Sequence, residues 1–198
     1  AVTWIRTIDY DEAKGDLRKL YDRIKGPEDN VDNIMLAHSL RPHTLRGHMG
    51  LYKSVLHHTR NRLAIWFMEA LGVHVSRLNR CAYCEEHHFE GMRRQLGDNA
   101  HAAAIRIAFD CGQPASLFEA RECAALAYST LLTESPAEVS AADVESLREA
   151  GWDDGEILEI NQVVAYFNYA NRTVQGLGVD TAGDILGLSP DGAGWQHR

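Results

Sequence analysis

Residues 64–97 read AIWFMEALGVHVSRLNRCAYCEEHHFEGMRRQLG, and the pattern of this stretch decides the fold. Apolar side chains recur every third or fourth residue through both halves, which is the period of a helix and not the alternation of a strand. Asn79 stands between the halves as a candidate helix cap, and Gly97 closes the second half as a helix stop. The stretch predicts two helices, Asn61 to Leu78 and Asn79 to Gly97, with Cys81 and Cys84 at the start of the second.

Outward from this pair the helical period continues almost everywhere, and period-2 alternation never persists, so the chain reads as all-α. A first helix is expected from Asp9 to Lys25, opened by an Asp9/Glu12 capping box, with Leu17, Leu20, Tyr21 and Ile24 on one face. A short segment around Asn33 to Leu40 follows. Pro42 suits the first position of a helix that carries Leu45, Met49, Tyr52 and Val55 on one side. Further helices are expected from Asn99 to Asp110, from Ser116 to Thr130 with a Ser116/Glu119 box, from Ser140 to Ala150, and from Asp153 to Gln175 with an Asp153/Glu156 box. The 198 residues suit a single helical domain. From Gly176 onward six glycines fall in 23 residues, which predicts an extended tail that needs another surface for its order.

Lys and Arg number 20 against 28 Asp and Glu, a net charge of −8 with no basic block, which argues against binding nucleic acid or anionic lipid through bulk charge. The most apolar run, Leu63 to Met68, ends at Glu69, far short of the roughly 20 residues that span a bilayer. The amino-terminus has early acids and no apolar leader core, so the reading is cytoplasmic. Residues 33–68 hold no acid, but they do hold Arg41, Arg46, Lys53, Arg60 and Arg62 with His38, His43, His48, His57 and His58. That run reads as a hydrated helix face, a subunit contact or the wall of a site for an anionic or polar substrate.

The chemistry concentrates around the cysteines. On a helix Cys81, Cys84 and His88 fall at i, i+3 and i+7, so both sulfurs and the imidazole share one face, continued by Met92 and Gln95. Free amides and the positive end of the helix dipole favour thiolate there. Glu69 lies in an apolar run, where a carboxylate must be paired or protonated. A turn near Asn79 would fold its helix back and bring the carboxyl toward Cys84 and His88, as a proton relay requires. Cys81 lies nearer the helix terminus, which makes it the more acidic and more exposed thiol. Cys84 lies one turn before His88, where proton delivery is better placed, so the residues alone leave open which sulfur attacks. The same side chains also fit a zinc-binding module held by Cys81, Cys84 and His87 or His88, or a thiol redox sensor without enzymatic activity. His87, off the stripe, reads as structural or as a subunit contact, and Tyr83 as packing or a donor to substrate. Cys111 and Cys123 read as small core residues.

Glu69, eleven intervening residues, then Cys81-Ala-Tyr-Cys84-Glu-Glu-His-His88 resembles the E-x11-C-x-x-C-x-x-x-H signature of the alkylhydroperoxidase D-like branch of the carboxymuconolactone decarboxylase superfamily. Val75-Ser-Arg-Leu-Asn79 and Asn168-Tyr-Ala-Asn-Arg172 extend the likeness toward the peroxidase-related members of that branch. The resemblance implies an all-helical fold assembled as a trimer or hexamer, and a thiol peroxidase or disulfide reductase site needing no cofactor, metal or haem. It implies that Cys84 attacks a hydroperoxide and becomes a sulfenic acid, and that Cys81 condenses with it to a disulfide. Glu69 and His88 become the proton relay, and an external dithiol or a lipoyl-type protein the reductant. Some family members have a histidine between the cysteines where this chain has Tyr83. Decarboxylation or isomerisation of a muconolactone-like acid is the superfamily's other theme, and it has no need of paired thiols.

Overall fold

The computed structural model describes residues 2–187, and within them it is helical with no strand. Its α-helices are α1 (Gly15–Ile24), α2 (Asn33–Ala37), α3 (Pro42–Leu56), α4 (Ile65–Leu78), α5 (Ala82–Leu96), α6 (Asn99–Asp110), α7 (Ala120–Glu134), α8 (Ala141–Glu149) and α9 (Asp154–Leu177). The all-α reading holds. No described helix is long and apolar enough to cross a membrane.

Two apolar cores form. The larger joins α4, α5, α7 and α9 around Phe67, Leu71, Met92, Ile160 and Phe167. The smaller joins α1 and α3 through Leu17, Leu20, Tyr21, Ile24, Leu45 and Met49, as the helical spacing of those residues predicts. Ile34 and Tyr52 pack against both clusters, so the seam between the cores runs past α2 and α3. The site described below opens on that seam.

Only residues 79–81 connect α4 to α5, and their backbone forms a tight helix ending. Cys81 N–H donates to the Ser76 carbonyl at 2.8 Å and Arg80 N–H to the Arg77 carbonyl at 2.9 Å, the paired 6→1 and 5→2 bonds of a Schellman turn. That turn demands a left-handed residue, and Arg80 supplies it at φ +55°. The expected cap therefore changes: Cys81, not Asn79, is the N-cap of α5. Asn79 instead closes α4, and its amide donates to Asn168 Oδ1 at 3.0 Å and Asn171 Oδ1 at 2.9 Å on α9. Gly97, at φ +63°, ends α5 as expected.

Three other helix starts differ from the sequence reading. Gly15, at φ +58°, separates a 3-10 turn at Tyr10–Glu12 from α1, and Asp9 makes no side-chain cap. Residues 61–64 are not helical, because the Glu159 carboxylate accepts from the backbone amides of Arg62 and Leu63 and ties this stretch to α9. Pro114–Ser116 is a 3-10 turn, and the capping box of α7 is Glu119/Glu122 in place of Ser116/Glu119. The boxes at Ser140 and Asp153 form. Helix α9 runs past Gly176 to a left-handed Gly178, and 179–187 then fold back onto the body; the remainder of the expected tail lies outside the described residues.

Arg80 carries a side chain in a conformation that suits glycine, a cost of roughly 1–2 kcal/mol that glycine's own entropy loss only partly offsets. Arg80→Gly is expected to stabilise the fold by about 0.5–1 kcal/mol, a rise of about 2–3 °C in Tm. A fall in Tm would show that the Arg80 side chain, exposed as it is, contributes more than its backbone costs.

Candidate active site

Glu69 is 3% exposed, and it finds the partner its burial requires. Its Oε2 lies 2.6 Å from Nδ1 of His88, with both side chains almost withdrawn from solvent. The pair forms because α4 and α5 approach closely at Gly91. A methyl group there would sit 3.1–3.2 Å from the Glu69 carboxyl, so the absent side chain of Gly91 makes room for the carboxylate. The His88 ring meets Phe167 of α9 edge to face at 4.5 Å, and Phe167 in turn covers Gly72 of α4, where a methyl would overlap its ring. Two glycines and one aromatic ring thus fix the imidazole between three helices.

Cys81 and Cys84 are free thiols, 1% and 2% exposed. The two sulfurs are neighbours, and their acidities differ. Cys84 donates to Cys81, which lowers the proton affinity of Cys81; burial opposes the shift and the Cys84 backbone amide adds to it, although that amide does not form a full side-chain cap. The proton of Cys84 is held well above the usual thiol range, first by that hydrogen bond and then by burial. Cys81 is accordingly the more acidic sulfur, as its place at the helix start predicts, but it is no more exposed than its neighbour.

Asn171 of α9 joins this pair without any signal in the spacing of the cysteines. It is fully buried, donates to Ser76 Oγ at 3.1 Å, and its amide lowers the proton affinity of both sulfurs. The amide of Asn79 holds its orientation from the other end.

A cavity of about 60 Å³ opens in front of Cys84, Glu69 and His88. Ile34, Met35, Met49, Tyr52 and Tyr166 supply its apolar wall, and Cys81 does not contribute to the lining. Asp32, Tyr83, His87 and His48 complete its polar side. The folded-back segment sends Asp184 to this rim, where it accepts from the Tyr83 hydroxyl at 2.7 Å and the Asn33 amide at 3.0 Å and lies 3.1 Å from His87 Nε2. Burial pushes the Asp32 carboxyl up to about 6, with His87 pulling against it, so Asp32 is neutral in acid and charged above that pH.

The four sequence candidates, Glu69, Cys81, Cys84 and His88, come together. His87, read as structural or as a subunit contact, lines the cavity and lies against Asp184 of the same chain. Tyr83 is buried and engaged with Asp184 and Ile34. Among the described residues no three His, Cys, Asp or Glu side chains gather to hold a metal. Cys111 is not a core residue, being exposed where the chain leaves α6, whereas Cys123 packs half-buried against the larger core with its thiol toward the Phe118 carbonyl. Asn171 was visible only inside the Asn168–Arg172 likeness, and His48 only as one histidine of the acid-free run read as a site wall; Asp32 and Asp184 carried no sequence signal.

The unequal acidity has a spectroscopic signature. Thiolate absorbance at 240 nm should titrate in the intact protein below the ordinary thiol range, and Cys84→Ala, which removes the donor, should move that step upward. Asn171→Leu should raise it as well. An unmoved titration in Cys84→Ala would mean the sulfurs do not exchange a hydrogen bond.

No protein-family model matches the chain, and no curated protein matches it. Solved structures do. A peroxidase-related protein from Ralstonia eutropha JMP134, described as an alkylhydroperoxidase AhpD core, superposes with a TM-score of 0.80 at 21% identity, over 96% of this chain and 99% of that one. A peroxidase-related protein from Silicibacter sp. TM1040 gives 0.76 at 22% identity, over 100% and 96%. The debrominase Bmp8 gives 0.70 at 19% identity, over 90% of each chain. The chain therefore has the fold of the alkylhydroperoxidase D core and of the peroxidase-related proteins built on it.

Proposed function

We propose that this protein is a thiol-dependent hydroperoxide reductase in which Cys84 meets the peroxide and Cys81 resolves the product. One observation carries the reading: Cys84 lines the same cavity as the hydrogen-bonded Glu69 and His88, while Cys81 is bonded to it from outside the lining. Cys84 gives its proton to the Glu69–His88 pair and its sulfur attacks one peroxide oxygen. The O–O bond breaks, the pair returns the proton to the departing alkoxide, and Cys84 is left as a sulfenic acid beside an alcohol. Cys81, already biased to thiolate, attacks the Cys84 sulfur. Hydroxide departs, takes a proton through His88 and leaves as water, and the disulfide closes. An external dithiol or a lipoyl-type protein then reduces it and is itself oxidised.

Acidity favours Cys81 as the attacking sulfur, whereas access favours Cys84. We follow access, because a thiolate outside the cavity cannot reach a substrate within it. The cavity lining carries Asp32 and Glu69 but neither Lys nor Arg, so a muconolactone-like acid would find no counter-charge, which weighs against decarboxylase chemistry. With this reading go a cytoplasmic setting, where thiols stay reduced, and assembly as a trimer or hexamer.

Consumption of tert-butyl hydroperoxide coupled to dihydrolipoamide should disappear in Cys84→Ser and fall about 100-fold or more in Glu69→Gln and His88→Gln. Cys81→Ser should strand the sulfenic acid, which dimedone traps on Cys84. Unchanged turnover in Cys84→Ser overturns the reading, a dimedone adduct only on Cys81 reverses the two roles, and stoichiometric zinc in protein purified without added metal returns the zinc module.

A further inference from the structure

We propose that His48 is the substrate-holding residue of this cavity, and that it selects a small, uncharged molecule with one hydrogen-bonding end. The proposal deepens the hydroperoxide reading and rests on it for the substrate's identity, here a short-chain alkyl hydroperoxide.

Three histidines line the cavity, and they are not equivalent. His88 is oriented by Glu69 and His87 by Asp184. His48, from α3, is 4% exposed and its Nδ1 has no protein partner. Buried polar atoms in folded proteins are almost always paired, so an orphan on a cavity wall marks a place where the occupant supplies the bond. The ring itself is held: His38 lies 5.1 Å from it, Tyr169 5.8 Å and Tyr166 6.0 Å, centroid to centroid. Its orientation therefore comes from packing, and Nδ1 is left without a protein partner.

Charge and size narrow the occupant. Burial, helped by His38, pushes the His48 imidazole down to about 3, so it presents a neutral donor and acceptor throughout the working pH range. Of the basic residues and histidines in the acid-free run 33–68, His48 alone reaches the lining, and Arg41, Arg46, Arg60 and Arg62 are exposed instead. The lining already carries the Glu69 and Asp32 carboxyls and no Lys or Arg, which disfavours an anion. At ~10–15 Å³ per water, about 60 Å³ admits about four waters, hence one small molecule. Met35, Met49, Tyr52 and Tyr166 offer its body an apolar wall. An alkyl hydroperoxide fits these terms: its oxygens exchange one hydrogen bond with His48, and its alkyl group lies against the methionines and tyrosines. His48 gains and loses no electrons, and every bond change stays with the two sulfurs, the peroxide and the Glu69–His88 pair.

The test separates binding from turnover. Reduced protein labelled with ¹⁵N-histidine is titrated with tert-butyl alcohol, the redox-inert product of tert-butyl hydroperoxide, and with pivalate, which carries the same alkyl group on an anion. The alcohol should shift one imidazole's resonances saturably, and pivalate should need at least tenfold more ligand for any saturable shift. In His48→Phe, which keeps the ring packing, the alcohol response should weaken at least tenfold; His48→Gln should recover part of it. In turnover, His48→Phe should raise KM for tert-butyl hydroperoxide about tenfold with a smaller effect on kcat. Alcohol binding that persists in His48→Phe, or pivalate binding as tightly as the alcohol, overturns the proposal; the second comparison uses only the wild-type chain and does not depend on a variant folding. If the alcohol binds through His48 but wild-type protein consumes no peroxide, the hydroperoxide reading fails and the neutral subsite stands. If peroxide is consumed and the alcohol response ignores His48, the reverse holds.

Discussion

Glu69 puts a carboxylate at an apolar helix interface, and water cannot solvate it there. Such a group is tolerated only with a partner in place, and breaking a buried pair leaves a charge that costs several kcal/mol. The partner, His88, sits on the next helix, so α5 must run close to α4. Gly91 permits that approach, and the three-residue link at 79–81 enforces it. The same short link makes Cys81 the N-cap of α5 and leaves Cys84 one turn on, facing the cavity. Acid, base and both sulfurs are thus positioned together by satisfying one buried charge.

Side-chain amides of α9 complete the arrangement. Asn79 at the end of α4 bonds Asn168 and Asn171, and Asn171 bonds Ser76 while easing the proton from both thiols. This chain of amides links the turn to the sulfurs from the side away from the cavity. On the cavity side Asp184 does comparable work at the rim, holding Tyr83 and His87. Tyr83, between the cysteines in sequence, is committed to Asp184 and to the Ile34 amide, so its hydroxyl anchors the returning chain.

Legibility from sequence followed the range of the interactions. Helix periodicity exposed the all-α architecture, and the stripe Cys81, Cys84, His88 was readable because its spacing is local to one helix. Glu69 stood out as a charge among apolar residues, and its approach to His88 needed only one turn between adjacent helices. Asn171 lies about 90 positions from the cysteines whose acidity it changes and Asp184 about 100 from Tyr83, and nothing about an Asn or Asp that far along a chain predicts which helix it will face. His48 was visible only as one of five histidines in an acid-free run, since sequence does not reveal which of them turns inward. The missed helix starts have a different origin. Propensity rules recognise a Ser or Asp as a cap, but at residues 61–64 a carboxylate from α9 outcompeted local preference, and at Arg80 the Schellman turn overrode a side chain's aversion to positive φ.

The unequal acidity of the two sulfurs sets an order on the proposed chemistry. Cys84, the sulfur at the cavity, keeps its proton and is a poor nucleophile until a base removes it. The Glu69–His88 pair lines the same space, so activation is tied to the groups that also return the proton to the leaving oxygen. Cys81 is the more acidic of the two, because the Cys84 S–H donates to it. Once Cys84 is oxidised its S–H no longer exists to donate, and the Cys81 thiolate loses the bond that stabilised it. Loss of that bond raises its nucleophilicity at the moment its target appears, so a geometry that holds the resting pair quiet also favours disulfide closure over further oxidation of Cys84.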